Sequence, residues 1–244
     1  MSMDYIKDAV ALLDRDHPLY GKDESKQDVA GEIDYTQSHV AALLNEHLQK
    51  NHILNPETDK VIVNSYKVLR TRVLQQMQQN GWATLAITSP RPDEGKTLTA
   101  INLSISMALK LDYTVLLVEL DFRNPSIHDR FGFRPKYGLG DYLARRVQLE
   151  KEFVNPGINR LLLLPEQKVQ KHSSEILSSA GMEQLVDELK NRYPSRIIIF
   201  DLPPVLVGDD VLAFSNIADA TLLVVQEGKT TSDDLNRTLS LLEK

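Results

Sequence analysis

The sequence predicts an α/β fold: a doubly wound, mainly parallel sheet with helices on both faces. Short apolar runs alternate with segments of helical periodicity along most of the chain. The runs are continuous in Val, Ile and Leu and do not alternate with polar residues, which is how strands read when both of their faces are covered. Gly95-Lys96-Thr97 stands between one such run and a helical segment, and two other runs end in acidic residues. Ligands of such sheets collect at the carboxyl ends of the strands.

Residues 1–54 are polar and mixed, with loop-like stretches at Asp14-Arg15-Asp16-His17-Pro18 and Gly21-Lys22-Asp23-Glu24. They are expected to form a loosely attached, partly disordered extension with a short helix at Val40–Leu48. The main domain is expected over 55–244. Asn55-Pro56-Glu57 reads as a helix start, with asparagine as N-cap, proline at the first position and glutamate at the positive end. Val61, Ile62, Tyr66, Leu69, Val73 and Met77 then recur at helical spacing, and Gly81 supplies a stop. Strands are expected at Ala83–Thr88, Val115–Leu120, Arg160–Leu164, Arg196–Asp201 and Ala220–Gln226. Helices are expected at Lys96–Leu109, Gly138–Ala144, Ser173–Ser179, Met182–Asn191, Asp209–Phe214 and Thr231–Leu242.

A chain of 244 residues, 42% hydrophobic, can bury one sizeable α/β core with a small extension. Its 28 Lys and Arg against 34 Asp and Glu give a formal net charge of −6, which argues against a nucleic-acid partner. The absence of cysteine excludes disulfides and thiolate metal sites, and the six histidines show no metal-ligand spacing. No apolar run approaches the roughly 20 residues that span a membrane, and the first residues lack the pattern of a signal peptide. A cytoplasmic location is therefore the default expectation.

The chemistry is expected at three strand ends. The run Pro90-Arg91-Pro92-Asp93-Glu94-Gly95-Lys96-Thr97-Leu98 follows the first strand. Its backbone N–H groups wrap phosphates, the lysine neutralises the outer two, and the threonine hydroxyl ligates magnesium. The nucleotide-binding residues expected here are Asp93, Glu94, Gly95, Lys96, Thr97 and Leu98. The second strand ends in Glu119-Leu120-Asp121-Phe122-Arg123 and the fourth in Asp201-Leu202-Pro203-Pro204. Acids there lie beside the loop and can hold magnesium or orient a nucleophile. Pro90 stands where such loops usually begin with glycine.

On these motifs the sequence resembles the ParA/MinD-like P-loop ATPase superfamily. More closely it resembles the bacterial tyrosine kinases (BY-kinases) of exopolysaccharide export, the CpsD/CapB type. Arg123-Asn124-Pro125-Ser126, Gly138-Leu139-Gly140-Asp141-Tyr142-Leu143 and Gly228-Lys229-Thr230-Thr231 also fit the kinase pattern, and the similarity covers residues 60–244. The resemblance implies ATP and Mg²⁺ as cofactors and phosphoryl transfer to tyrosine. It implies a homo-oligomer, and a separate chain-length-regulator-type membrane adaptor that recruits the chain to the inner face of the membrane. Residue by residue, Lys96 would meet the β- and γ-phosphates, Thr97 and Asp201 would hold the metal, and Asp121 would support the metal shell or the attacking group. Glu119 stands where the family has an aspartate that activates the acceptor hydroxyl. It reaches one methylene further, and a displacement near 1 Å at a reacting atom can cost on the order of 100-fold. Arg91 is read either as a charge clamp reaching phosphates across a dimer or as a solvated loop arginine. Glu119 is read either as the activating base or as a strand-end salt-bridge partner.

The family's Glu-x-x-Arg-x-x-Arg assembly helix is represented by Asn64, Lys67 and Arg70, so only its last arginine is kept. The resemblance implies a further strand and a tyrosine-rich tail beyond Leu241-Leu242-Glu243-Lys244, and the sequence is read either as truncated there or as a branch without them. Tyr5, Tyr20 and Tyr35 are the tyrosines of the polar segment, read as acceptors or as unmodified surface residues. Two other functions stay open from sequence: a ParA/MinD-like switch with water as acceptor, and a nucleotide-binding scaffold without turnover.

Overall fold

The apolar runs form strands buried on both faces, as their composition requires. The computed structural model describes residues 39–40, 45–110, 113–192 and 196–243. Among these, seven strands form one sheet. They are β1 (His39–Val40), β2 (Thr84–Thr88), β3 (Thr114–Glu119), β4 (Val154–Asn155), β5 (Leu161–Leu164), β6 (Arg196–Asp201) and β7 (Ala220–Leu223), in the order β1-β4-β5-β3-β6-β2-β7. Every neighbouring pair is parallel except β4 with β5. All five expected strands are present, with ends shifted by up to three residues. β1 and β4 have two residues each, too few to show a period in the sequence.

Alternate residues of the central strands feed two separate cores. Leu85, Ile87, Val115, Leu117, Ile197 and Ile199 face the helices Lys60–Asn80 and Lys96–Ala108. Ala86, Leu116, Val118, Ile198 and Phe200 face the helices Ser173–Leu177, Ala180–Arg192 and Asp210–Phe214. Phe200 and Phe214 meet edge to face with ring centroids 4.8 Å apart. Helices therefore cover both faces, which is the doubly wound arrangement.

The long first helix begins at Lys60, not at Asn55. Asp59 is its cap, accepting the Val61 N–H at 2.7 Å. Asn55 instead closes a turn, its side chain accepting the Glu57 N–H at 2.9 Å. Both residues offer a capping oxygen, and the competing local turn takes the first of them. Most of the expected N-terminal extension, with Tyr5, Tyr20 and Tyr35, lies outside the described residues. In its described part a helix spans Asn45–Lys50, while Val40 belongs to β1. Leu48, Ile53 and Leu54 are buried in the first core. Asn102 fixes that passage, accepting the Leu54 N–H at 2.9 Å and donating to the His52 carbonyl at 3.0 Å.

The register of the three central strands sets the site. Ile87 of β2 lies opposite Asp201 of β6, and Asp201 lies opposite Glu119 of β3. The phosphate-loop motif and both acidic strand ends are thereby brought to one edge of the sheet.

Candidate active site

The loop after β2 is a tight backbone turn. Left-handed φ values occur at Asp93 (59°) and Gly95 (91°), and Pro90 is not among the left-handed residues. A proline at the loop's first position therefore meets no backbone demand for glycine. Its carbonyl accepts the Leu206 N–H, and the Ser89 carbonyl accepts that of Val205, so the chain after β6 braces the loop. Helix Lys96–Ala108 starts directly behind, with Gly95 as its cap residue and no side chain covering its first N–H groups. An uncovered helix start with a positive dipole end is a ready anion site. Leu98 is half-buried and does not line the pocket beside the loop.

That pocket, about 220 Å³, is bordered by Asp93, Gly95, Lys96, Thr97 and Asp121 from the expected set. Lys96 Nζ lies 2.6 Å from Asp121 Oδ2, 3.1 Å from Thr97 Oγ1 and 3.9 Å from Asp201 Oδ1. Burial opposes the ammonium charge, yet Asp201 and Asp121 hold the lysine pKa above its usual value. Asp201 is fully buried, and neither of its oxygens has a hydrogen-bond partner. Burial pushes its carboxyl above the usual range, against the pull of Lys96 and Thr97. An acid left in this state beside a threonine hydroxyl fits a divalent cation, which would supply the missing partner. Thr97 and Asp201 are the residues that would hold Mg²⁺. Among the described residues no cluster of three or more such ligands stands ready by itself, so phosphate and water oxygens would complete the shell.

Glu119 sits differently from its expected role as base. It is fully buried, and its Oε1 accepts the N–H groups of Ser126 at 2.5 Å and Ile127 at 2.7 Å, while Oε2 accepts that of Glu166 at 3.0 Å. Burial raises its pKa to about 8, against the pull of those three N–H groups. It does not line the pocket. Its carboxylate starts the helix Ile127–Phe131 and ties the chain after β5 to β3. The carboxylate that does face the pocket is Asp121, two residues on.

Arg91 is held within its own chain. Its Nη2 lies 2.7 Å from Asp234 of the last helix, and its side chain is 52% exposed. Glu94 accepts the Arg91 N–H at 2.7 Å and the Thr230 hydroxyl at 2.5 Å, and Lys229 donates to the carbonyls of Pro92 and Asp93. The segment after β7 thus fastens the phosphate loop, a contact across more than 130 residues that the sequence does not announce. Arg70, the one arginine of the expected assembly motif that the sequence keeps, donates to the Ser106 carbonyl at 2.7 Å. The pocket is also lined by Arg123 and Arg130, which sequence reasoning did not place in the site. The described tyrosines at 66, 113, 137 and 142 are all half-buried, and none lines the pocket.

No known family's profile matches the chain. It is similar to the tyrosine-protein kinase YwqD of Bacillus subtilis (strain 168), at 30% identity over 186 residues, or 76% of this chain and 77% of that one. It is 28% identical over 182 residues to the tyrosine-protein kinase etk of Escherichia coli (strain K12), covering 75% of this chain but 25% of that one. Among solved structures, the kinase domain of the Escherichia coli tyrosine kinase ETK matches with a TM-score of 0.67 at 28% identity, over 74% of this chain and 70% of that one. The Pyrococcus furiosus cell division ATPase MinD shares the fold, with a TM-score of 0.56 at 20% identity over 66% of each chain.

Proposed function

Because the chain belongs to the bacterial tyrosine-kinase family, we propose that this pocket transfers the γ-phosphoryl group of ATP to a tyrosine hydroxyl, in the service of exopolysaccharide or capsule synthesis and export. The observation that carries the site is Asp201, buried with neither oxygen in a geometric hydrogen bond and a 3.9 Å ion pair to Lys96, beside Thr97. Lys96 is assigned to the β- and γ-phosphates, exchanging its contact with Asp121 for phosphate oxygens. The N–H groups of Gly95, Lys96 and Thr97 cradle the phosphates at the helix start, with Asp93 and Glu94 holding the loop. Magnesium held by Thr97 and Asp201 would neutralise charge on the β- and γ-phosphate oxygens.

In the transfer, the bond from the γ-phosphorus to the β,γ-bridging oxygen breaks and ADP leaves with the electron pair. A bond from phosphorus to the tyrosine oxygen forms. Asp121, freed by Lys96, takes the phenolic proton. Glu119 acts as a positioning residue, since its oxygens are engaged by backbone donors. No described tyrosine lines the pocket, which supports an acceptor from outside the described residues or from another copy. A homo-oligomer and a chain-length-regulator-type membrane adaptor are the partners this reading calls for. Among the described residues no helix is long and apolar enough to cross a membrane, so membrane recruitment falls to the adaptor.

Incubation with γ-labelled ATP and Mg²⁺ tests the reading. Label on protein tyrosine is the expected product, and Lys96→Met is expected to lower its rate by about 10²–10³. Free phosphate as the sole product would instead make the chain a MinD-like switch. Full nucleotide affinity in Lys96→Met would overturn the site assignment.

A further inference from the structure

Three cations border the pocket, and two of them are engaged. Lys96 is bonded to Asp121 at 2.6 Å. Arg123 Nε is bonded to Asp210 at 2.7 Å, and its Nη2 lies 3.7 Å from Asp209. Arg130 differs. Its Nε is buried with no hydrogen-bond partner, and among the described residues no carboxylate forms an ion pair with its guanidinium. A guanidinium is charged at all working pH values, and a buried, unpaired donor on it costs free energy unless a ligand meets it.

The position of Arg130 is fixed. It lies in the helix Ile127–Phe131, whose start is held by Glu119 through the N–H groups of Ser126 and Ile127. Ile127, His128 and Phe131 of that helix are buried. Its end turns at Gly132 with φ of 78°, where a Cβ would come within 2.8 Å of the His47 ring, and His47 Nε2 contacts the Asp129 carbonyl at 2.9 Å. Arg130 lines the pocket together with Lys96 and Thr97, the residues assigned to the phosphates and their metal, so its guanidinium stands on the wall that a nucleotide's terminal phosphate would face.

We propose that Arg130 is a catalytic residue supplied in cis, its guanidinium meeting the γ-phosphate oxygens and strengthening that contact as charge moves onto them during transfer. The helix held by Glu119 is its mount. This rests on the pocket taking a nucleotide triphosphate. An arginine so placed is worth far more in the transition state than in binding, roughly 10³–10⁵ in rate where such residues act.

The test uses the full chain, with Arg130→Ala and Arg130→Lys. Affinity for Mg·ADP and for a non-hydrolysable Mg·ATP analogue is measured by titration calorimetry, and phosphoryl transfer is followed in single-turnover mixing. Arg130→Ala is expected to keep its affinity for Mg·ADP within about twofold, weaken the triphosphate analogue roughly 10-fold, and slow transfer by about 10²–10³. Arg130→Lys, which keeps the charge without the fork, is expected to recover part of the rate. An Arg130→Ala variant that binds the analogue and transfers phosphate as the wild type does overturns the inference and leaves the kinase reading standing. Equal loss of affinity for diphosphate and triphosphate also overturns it, since a γ-phosphate contact cannot act on both. Thermal unfolding separates such a loss from misfolding, and Arg130→Lys repeats the comparison in a folded chain. A wild type that binds neither nucleotide sinks the functional reading and the inference together.

Discussion

The end of β6 and the end of β3 lie side by side in register, and each presents a fully buried carboxyl, yet the two are built for different work. Glu119 on β3 has three backbone N–H groups on its two oxygens. Asp201 on β6 has none. A buried carboxylate with its donors supplied is finished as structure. One left without them stores an unmet demand that a cation or phosphate-bound magnesium can meet on binding. Partner accounting, more than position at a strand end, separates the two roles.

The largest effect that would break this contrast is at Asp201. Asp201→Asn keeps the shape and removes the charge that the metal needs. Transfer is expected to fall by about 10²–10³, while the urea midpoint stays level or rises, because a charge that burial opposes is removed at the loss of only a 3.9 Å ion pair to Lys96. A midpoint that falls by more than the wild-type error, with transfer intact, would make Asp201 structural.

Glu119→Gln is expected to do the opposite. The new amide cannot accept on both arms, so one of the Ser126, Ile127 and Glu166 N–H groups loses its acceptor at a cost of about 1–3 kcal/mol. Transfer per folded molecule is expected to drop less than tenfold, through a looser helix Ile127–Phe131. A hundredfold loss with unchanged stability would restore Glu119 as the base.

Glu152 gives the smallest and sharpest case. It is buried with neither oxygen hydrogen-bonded, as in Asp201, but it lies away from the phosphate loop. Burial, with Asp141 and Glu166 nearby, raises its pKa from 4.5 to about 8 against the pull of the Tyr142 backbone N–H. Between those values the folded chain keeps a proton that the unfolded chain has lost, so stability falls as pH rises across the window. Glu152→Gln is expected to match the wild type near pH 4.5 and to be the more stable of the two near pH 8. Equilibrium urea unfolding at both pH values checks this, and transfer should not change. An activity loss would show that unmet carboxyls matter beyond the phosphate pocket.

Much of this was legible from residue order. Gly95-Lys96-Thr97 after an apolar run located the loop that the structure places at a helix start, and the run Arg196–Asp201 located the buried acid beside it, because strand burial and loop geometry are written in neighbouring residues. Arg130 was not legible, since nothing in Ile127–Phe131 distinguishes a five-residue helix from loop. Nor was the bracing of Arg91 and Glu94 by Thr230 and Asp234, whose partners stand 136 and 143 residues away. Asn55 misled because its local turn and a helix cap use the same side-chain oxygen.

By itself the sequence determined the doubly wound class, the loop before the helix Lys96–Ala108 and the three strand ends that meet at one edge of the sheet. These follow from local periodicity and turn chemistry, which act over a few residues. Only the tertiary structure decided which acid is satisfied and which is left wanting, and which arginine enters the pocket unpaired. Glu119 is satisfied by a backbone donor 47 residues away at Glu166. Asp201 is left with an ion pair in place of a geometric hydrogen bond, because the sheet register brings it beside Lys96 at 3.9 Å and beside no backbone donor. Hydrogen-bond satisfaction in a buried site depends on which distant groups the fold carries there.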